Sequence, residues 1–162
     1  ASIAGILRET EAPARRLAVE VTESAVMNAP RVMSEMIALK KVGVELWMDD
    51  FGTGYSSLNH LHQFPFDVLK VDRSFIQDVG IGSPPRAIVR TIVALARQLN
   101  LAVIAEGIET CEQWDAIRAL GCDAGQGYYF AAPMEAGLLP GVCAAWGRAP
   151  MSAPSSRSRA AP

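Results

Sequence analysis

Much that would announce a function at first sight is missing from these 162 residues. There are only three cysteines, Cys111, Cys122 and Cys143, and no CxxC pair among them. That excludes a zinc knuckle and a disulfide framework, and it predicts the reduced thiols of a cytoplasmic protein. Histidine is scarce too. His60 and His62 follow Ser56-Ser57-Leu58, which reads as a short helix, where positions two apart do not share a face, so they do not form a metal pair. No GxxxxGK and no GxSxG occur, and Gly80-x-Gly82 lacks the third glycine of a dinucleotide loop. A surplus of one charge is also lacking: 15 Lys and Arg against 17 Asp and Glu leave −2. That near-balance argues against a broad basic surface for polymeric nucleic acid, though a small phosphate ester needs only a few local contacts. No apolar run reaches the ~18 residues of a membrane helix. The longest candidate, residues 88–99, is broken by Arg90 and Arg97. Arg8, Glu9 and Glu11 stand where a signal peptide would be apolar. No Met opens the chain, as expected of a fragment or a processed product.

What is present is a soluble-domain composition, 50% hydrophobic and 20% charged, that favours a globular fold over disorder. Short apolar runs alternate with helical patterns. Residues 17–21 (LAVEV), 44–49, 68–72 (VLKVD) and 101–106 (LAVIAE) read as strands, and a Gly-rich fifth segment lies near residues 123–130. Asn28-Ala-Pro30 predicts a helix start, and Gly43 predicts the stop. Ser83-Pro84-Pro85 opens the clearest helix, with Ile88, Ile92, Leu95, Ala96 and Leu99 on one face. Thr110-x-x-Gln113 has the form of a capping box, and Gly121 ends that helix. Residues 138–146 read as a last helix. Residues 51–57 read as a Gly-rich loop. From Gly147 the composition turns to Pro, Ser, Ala and Arg, so one domain over 1–147 and a disordered tail over 148–162 are expected. Buried parallel strands alternating with amphipathic helices make an α/β fold. The period suits both a doubly wound sheet and a barrel.

Polar residues fall at strand ends. Glu20 and Glu23 close the first strand, Asp49 and Asp50 the second, Lys70 and Asp72 the third, Glu106 and Glu109 the fourth. The fifth segment offers Asp123 and Gln126. In a barrel these ends converge on the face that carries the chemistry. Several carboxylates with one Lys repel one another unless cations join them. A donor set without His or Cys suits hard ions, Mg²⁺ or Mn²⁺. Adjacent Asp49 and Asp50 would face opposite sides of a regular strand, and Gly52 and Gly54 are expected to supply the turn that reunites them. Two cations held this way form a clamp for in-line displacement at phosphorus. Lys70 would position the attacking water or stabilise charge.

EVTES (20–24), DDFGTGYSSL (49–58), LKVDRSFI (69–76), AEGIET (105–110) and GQGYYF (125–130) together resemble the EAL-domain phosphodiesterases. These bacterial enzymes hydrolyse cyclic di-GMP to linear pGpG by metal-activated water. The resemblance runs from about residue 6 to residue 147. It implies a (βα)₈ TIM-like barrel with one antiparallel strand, here partial and lacking its first strands, the EAL segment and the next strand's metal-binding Asn. It implies Glu20, Asp49, Asp50 and Glu106 as ligands of two Mg²⁺ or Mn²⁺ ions, and Lys70 as the residue that activates water. Glu23 becomes the brace of the loop 51–57, through which the family dimerises. Glu109 and Gln126 become substrate- and water-contacting residues, and Asp72 a supporting one. An upstream sensory or diguanylate cyclase domain is implied as a partner. A second reading is a catalytically silent remnant that binds cyclic di-GMP or mediates protein contacts. For the chain by itself, impaired turnover, low stability and self-association through open sheet edges are expected.

Overall fold

The computed structural model describes residues 2–27, 32–52 and 58–146. The expected helix start at 28–30, most of the loop 51–57 and the tail fall outside them. In chain order the elements are α1 (Ile3–Thr10), β1 (Ala18–Thr22), α2 (Glu23–Met27), α3 (Val32–Val42), β2 (Glu45–Phe51), α4 (Leu58–Gln63), β3 (Val68–Val71), α5 (Pro84–Gln98), β4 (Ala102–Ala105), α6 (Cys111–Leu120), β5 (Ala124–Gly125) and α7 (Leu139–Trp146).

Local chemistry explains most boundaries. The Ser83 hydroxyl accepts the Arg86 N–H at the start of α5, with prolines in the first turn, where a missing N–H costs nothing. Thr110 and Gln113 form the full capping box at the start of α6, which ends at Gly121 in the left-handed region, φ 87°. Val89, Ile92, Val93 and Ala96 form the buried stripe of α5. Phe51, expected in a loop, is instead the buried last residue of β2. The Gly-rich fifth segment contributes a strand of only two residues. None of the three cysteines is in a disulfide.

The five strands form one sheet in the order β1-β2-β3-β4-β5, and all four pairings are parallel. Strand order never reverses, so the switch point of a doubly wound sheet is absent among the described residues. This sequential winding is that of a barrel wall. The antiparallel strand implied by the resemblance is not among these five. β1 and β5 pair on one side only among the described residues.

The register separates two faces. Leu46 and Met48 of β2, Leu69 and Val71 of β3, and Val103 and Ala105 of β4 share one face, all buried in the apolar core. Glu20, Trp47, Asp49, Lys70 and Ile104 fall on the other by strand alternation and pairing. The N-terminal ends of the strands are clamped by a repeated device. Asp67, just before β3, donates its N–H to the Leu46 carbonyl and accepts the Leu46 N–H on its carboxylate, both at 2.9 Å. Asp123, just before β5, does the same with Val103, at 2.9 and 2.8 Å. Each clamp fixes a strand's height against its neighbour, so the opposite, C-terminal ends meet in a defined register.

Candidate active site

At those C-terminal ends stands Lys70, whose side chain is only 3% exposed. Its ammonium nitrogen lies 2.7 Å from Glu20, 3.0 Å from Asp49 and 2.7 Å from Glu106. A lysine ammonium has three N–H donors, and three carboxylates face them, from the strand on either side and from the next one along. Burial alone would lower the Lys70 pKa. The hydrogen bonds to Glu106, Glu20 and Asp49 outweigh that and hold it above the ordinary lysine value. Lys70 therefore stays charged throughout the neutral range. Glu106 is shifted upward, first by burial and then by the charges of Asp49 and Glu20, against the pull of Lys70.

Glu106 is placed by the sheet itself. Its N–H donates to the Val71 carbonyl at 3.0 Å, which continues the β3–β4 ladder one step past β4. Gly107 follows at φ 70° and packs against Arg73.

Asp49 and Asp50 are reunited by a route the sequence reading did not anticipate. The turn expected from Gly52 and Gly54 begins earlier, at Asp50 itself, whose φ is 56°. Along β2 and β3, Met48 pairs with Leu69 and Phe51 with Val71, so Asp49 and Asp50 together oppose the single residue Lys70. This is a β-bulge. Asp49, Asp50 and Glu106 each offer a carboxylate oxygen, and these oxygens all lie within 4.8 Å of one another.

Glu20, Asp49, Asp50, Glu106 and Lys70 are thus brought together. The other candidates lie around them. Glu23 opens α2 directly after β1 and is buried. Asp72 caps a 3₁₀ turn over Arg73–Phe75, accepting the Ser74 N–H at 3.0 Å. Burial would raise its pKa, but hydrogen bonds from Ser74 and the charge of Arg73 prevail and lower it. Glu109 is exposed beyond β4, its N–H donating to Gln113 Oε1 at 2.7 Å. Gln126 follows β5, exposed, its backbone bonded to Ala105 and Ile108. No ion pair joins these four to Lys70 among the described residues.

Four carboxylates around one ammonium leave the cluster with excess negative charge, which a divalent cation would offset. All-oxygen donors, three of them already mutually close, fit a hard divalent ion rather than zinc.

Known proteins resemble this chain in sequence and in fold. The family model of the EAL domain matches residues 1–133. NbdA of Pseudomonas aeruginosa, a cyclic di-GMP phosphodiesterase, is 44% identical over 124 residues, which is 76% of this chain and 16% of NbdA. MucR of the same organism, a bifunctional diguanylate cyclase/cyclic di-GMP phosphodiesterase, is 44% identical over 137 residues, covering 83% of this chain and 20% of MucR. The solved MucR phosphodiesterase, a complex with c-di-GMP, matches with a TM-score of 0.80 and 40% identity over 85% of this chain and 61% of that one. BlrP1 of Klebsiella pneumoniae, solved as a manganese/cyclic di-GMP complex, matches with a TM-score of 0.75 and 33% identity over 81% of this chain and 34% of that one. This chain therefore spans a fifth or less of NbdA and MucR and about three fifths of the solved MucR domain. Matched by the family model over most of its length, and with its strand-end carboxylates gathered on one lysine, the chain belongs to the EAL domain family.

Proposed function

We propose that this chain is part of a cyclic di-GMP phosphodiesterase and that the cluster around Lys70 is its reaction centre. The reaction adds one water across one phosphodiester P–O bond of the cyclic dinucleotide. The water oxygen becomes the new oxygen on phosphorus, the ribose 3′-oxygen leaves with a proton, and linear pGpG results. Glu20, Asp49, Asp50 and Glu106 would hold the divalent ions, Mg²⁺ or Mn²⁺. When bound, such ions supply Lewis acidity to a phosphoryl oxygen and lower the pKa of water.

The chain's own residues then have distinct tasks. Lys70 keeps its proton, so it would serve as a fixed cation whose charge faces the charge growing on phosphate, and it would orient the entering water with an N–H that one of its three carboxylates releases. The carboxylate neighbours of Lys70 hold its flexible stem in one place, which a lone surface lysine would lack. Glu109 and Gln126, exposed beyond β4 and β5, are suited to contact the dinucleotide. Asp72 supports the turn after β3, and Glu23 braces the loop after β2. Dimerisation through that loop, an upstream sensory or cyclase domain and a cytoplasmic setting belong to the same reading. No helix among the described residues is long and apolar enough to cross a membrane.

The observation that carries this reading is Lys70 with carboxylates at 2.7, 3.0 and 2.7 Å, at the end of a parallel sheet where substrates of barrel enzymes bind. The test is hydrolysis of cyclic di-GMP by the 162-residue chain with Mg²⁺ or Mn²⁺, followed by separation of pGpG. Turnover that stops with chelator and in Asp49→Asn supports it. Binding of cyclic di-GMP without turnover in either metal supports the silent binding module instead.

A further inference from the structure

We infer that the β-bulge at Asp49–Asp50 is the positioning device of the cation site, and that Asp50 serves it through its backbone as well as its carboxylate. The inference rests on the cation reading above. In a regular strand Asp49 would join Lys70 on one face and Asp50 would join Met48 on the other. The register shows an extra residue instead, because two positions of β2 oppose Lys70 alone and the pairing resumes at Phe51 and Val71. The extra residue is Asp50. It sits at φ 56°, a conformation that Asp tolerates better than most side chains but that Gly adopts freely.

Two consequences follow. Phe51 returns to the core face beyond the bulge and is buried, so the sheet absorbs the insertion. The Asp50 N–H, released from the ladder, donates to Asp49 Oδ1 at 3.1 Å, the same oxygen that lies 3.0 Å from Lys70. The bulge thus does two things. It carries the second carboxylate to within reach of Asp49 and Glu106, and it orients the first. Partners that orient a ligand in this way typically contribute 10–100-fold in metal affinity.

Deleting Asp50 would remove the bulge and leave Met48, Asp49 and Phe51 opposite Leu69, Lys70 and Val71, an unbroken ladder. The test compares the intact chain with the Asp50 deletion, Asp50→Ala and Asp50→Gly by thermal melting without added metal and by direct titration with Mn²⁺. Both the deletion and Asp50→Ala lose the same carboxylate, but only the deletion loses the bulge. The expected results are a cooperative melt for the deletion, Asp50→Gly melting at or above Asp50→Ala, and Mn²⁺ bound about tenfold more weakly by the deletion than by Asp50→Ala. A deletion that no longer melts cooperatively would mean that Phe51 has been turned out of the core and that the bulge is not the slack residue. Equal Mn²⁺ affinity in the two variants would overturn the positioning role. An intact chain that takes up no Mn²⁺ overturns the cation reading itself, while the order of the melts still decides the bulge.

Discussion

The ammonium of Lys70 lies 2.7 Å from the Glu106 carboxylate, although in the sheet register Lys70 pairs with Ile104, not Glu106. Glu106 reaches it because the β3–β4 ladder runs on past its last regular pair, through the Glu106 N–H and the Val71 carbonyl. The contact is therefore a product of strand height as much as of charge. Removing Lys70 would leave Glu20, Asp49 and Glu106 without their shared cation, with the Asp50 carboxylate close beside Asp49 and Glu106. Lys70→Ala is expected to destabilise the chain by about 2–4 kcal/mol without added metal, the range for breaking a buried ion pair, reduced by the partial exposure of Glu20. Millimolar Mn²⁺ should recover a large part of that loss and none of the turnover, which is expected to fall by at least about 10²-fold. Lys70→Arg should not restore activity, because a planar guanidinium cannot present three donors in three directions. Melts with and without Mn²⁺, alongside kcat, check the pair of effects. A melting temperature unchanged in Lys70→Ala would show that the ion pairs contribute nothing to the fold.

The second prediction concerns the other end of the strands. Lys40 Nζ lies 2.7 and 2.6 Å from the two oxygens of Asp67, whose carboxylate also accepts the Leu46 N–H. Asp67→Ala is expected to cost about 1–2 kcal/mol, since it unseats a lysine and leaves a strand N–H unpaired. Both side chains are about a quarter exposed, so solvent screening keeps the Lys40–Asp67 coupling near ~1 kcal/mol in a double-mutant cycle. Turnover should fall only slightly, because the backbone half of the clamp, from the Asp67 N–H to the Leu46 carbonyl, survives the substitution and still sets the strand height. Strict additivity of the two single variants would show the pair to be fully screened.

How much of this was legible beforehand differs from residue to residue. The helix caps at Ser83, Thr110 and Gly121 were readable because capping is local, confined to four consecutive residues. Grouping Glu20, Asp49, Lys70 and Glu106 was readable because strands of a β/α repeat end on a common face. The bulge was not. A period of two along β2 can say that Asp49 and Asp50 diverge, but an extra residue becomes visible only when the partner strand is known. The clamps by Asp67 and Asp123 escaped for a related reason, since each bonds to a residue about 20 positions away. The two-residue β5 carries no strand signal of its own; it is held through Gln126 and Asp123 by backbone bonds to β4.

A third prediction follows from Asp72, whose carboxylate is held below the ordinary range because its hydrogen bonds from Ser74 and the Arg73 charge outweigh burial. A carboxyl group with a depressed folded pKa adds stability above its unfolded pKa of ~3.9 and loses it as pH falls through the folded value. Asp72→Ala is therefore expected to be less stable than the intact chain at pH 7, by about 1 kcal/mol as for other lost caps. The gap should narrow below about pH 4 and vanish once both states bind the proton. Urea melts of the two proteins at pH 7, 5, 4 and 3 measure it. A gap that stays constant with pH would assign the effect to packing rather than to the carboxylate.

The last prediction tests whether the loops beyond the sheet set the position of Glu106. Gly107 has φ 70°, and a Cβ built there would collide with the Arg73 side chain at the turn that Asp72 caps. An alanine must therefore bear left-handed strain of about 1–2 kcal/mol and also push two loops apart. One of those loops begins at Glu106, so the 2.7 Å contact with Lys70 should lengthen. Gly80 is the internal control: no atom lies within 4 Å of a Cβ there and its φ is not left-handed, so Gly80→Ala should be neutral or stabilise by up to ~1 kcal/mol through the unfolded chain. If the geometry of Glu106 matters to the cation site, Gly107→Ala should weaken Mn²⁺ binding about tenfold, beyond the effect of its lower melting temperature. Substitutions elsewhere that together stabilise the chain by as much as Gly107→Ala costs, more than Gly80→Ala supplies by itself, should restore the melting temperature but not the affinity. Recovery of both together would reduce Gly107 to a contributor to stability alone. Loss of affinity that persists in the restabilised variant would place the Arg73–Gly107 contact among the determinants of the site.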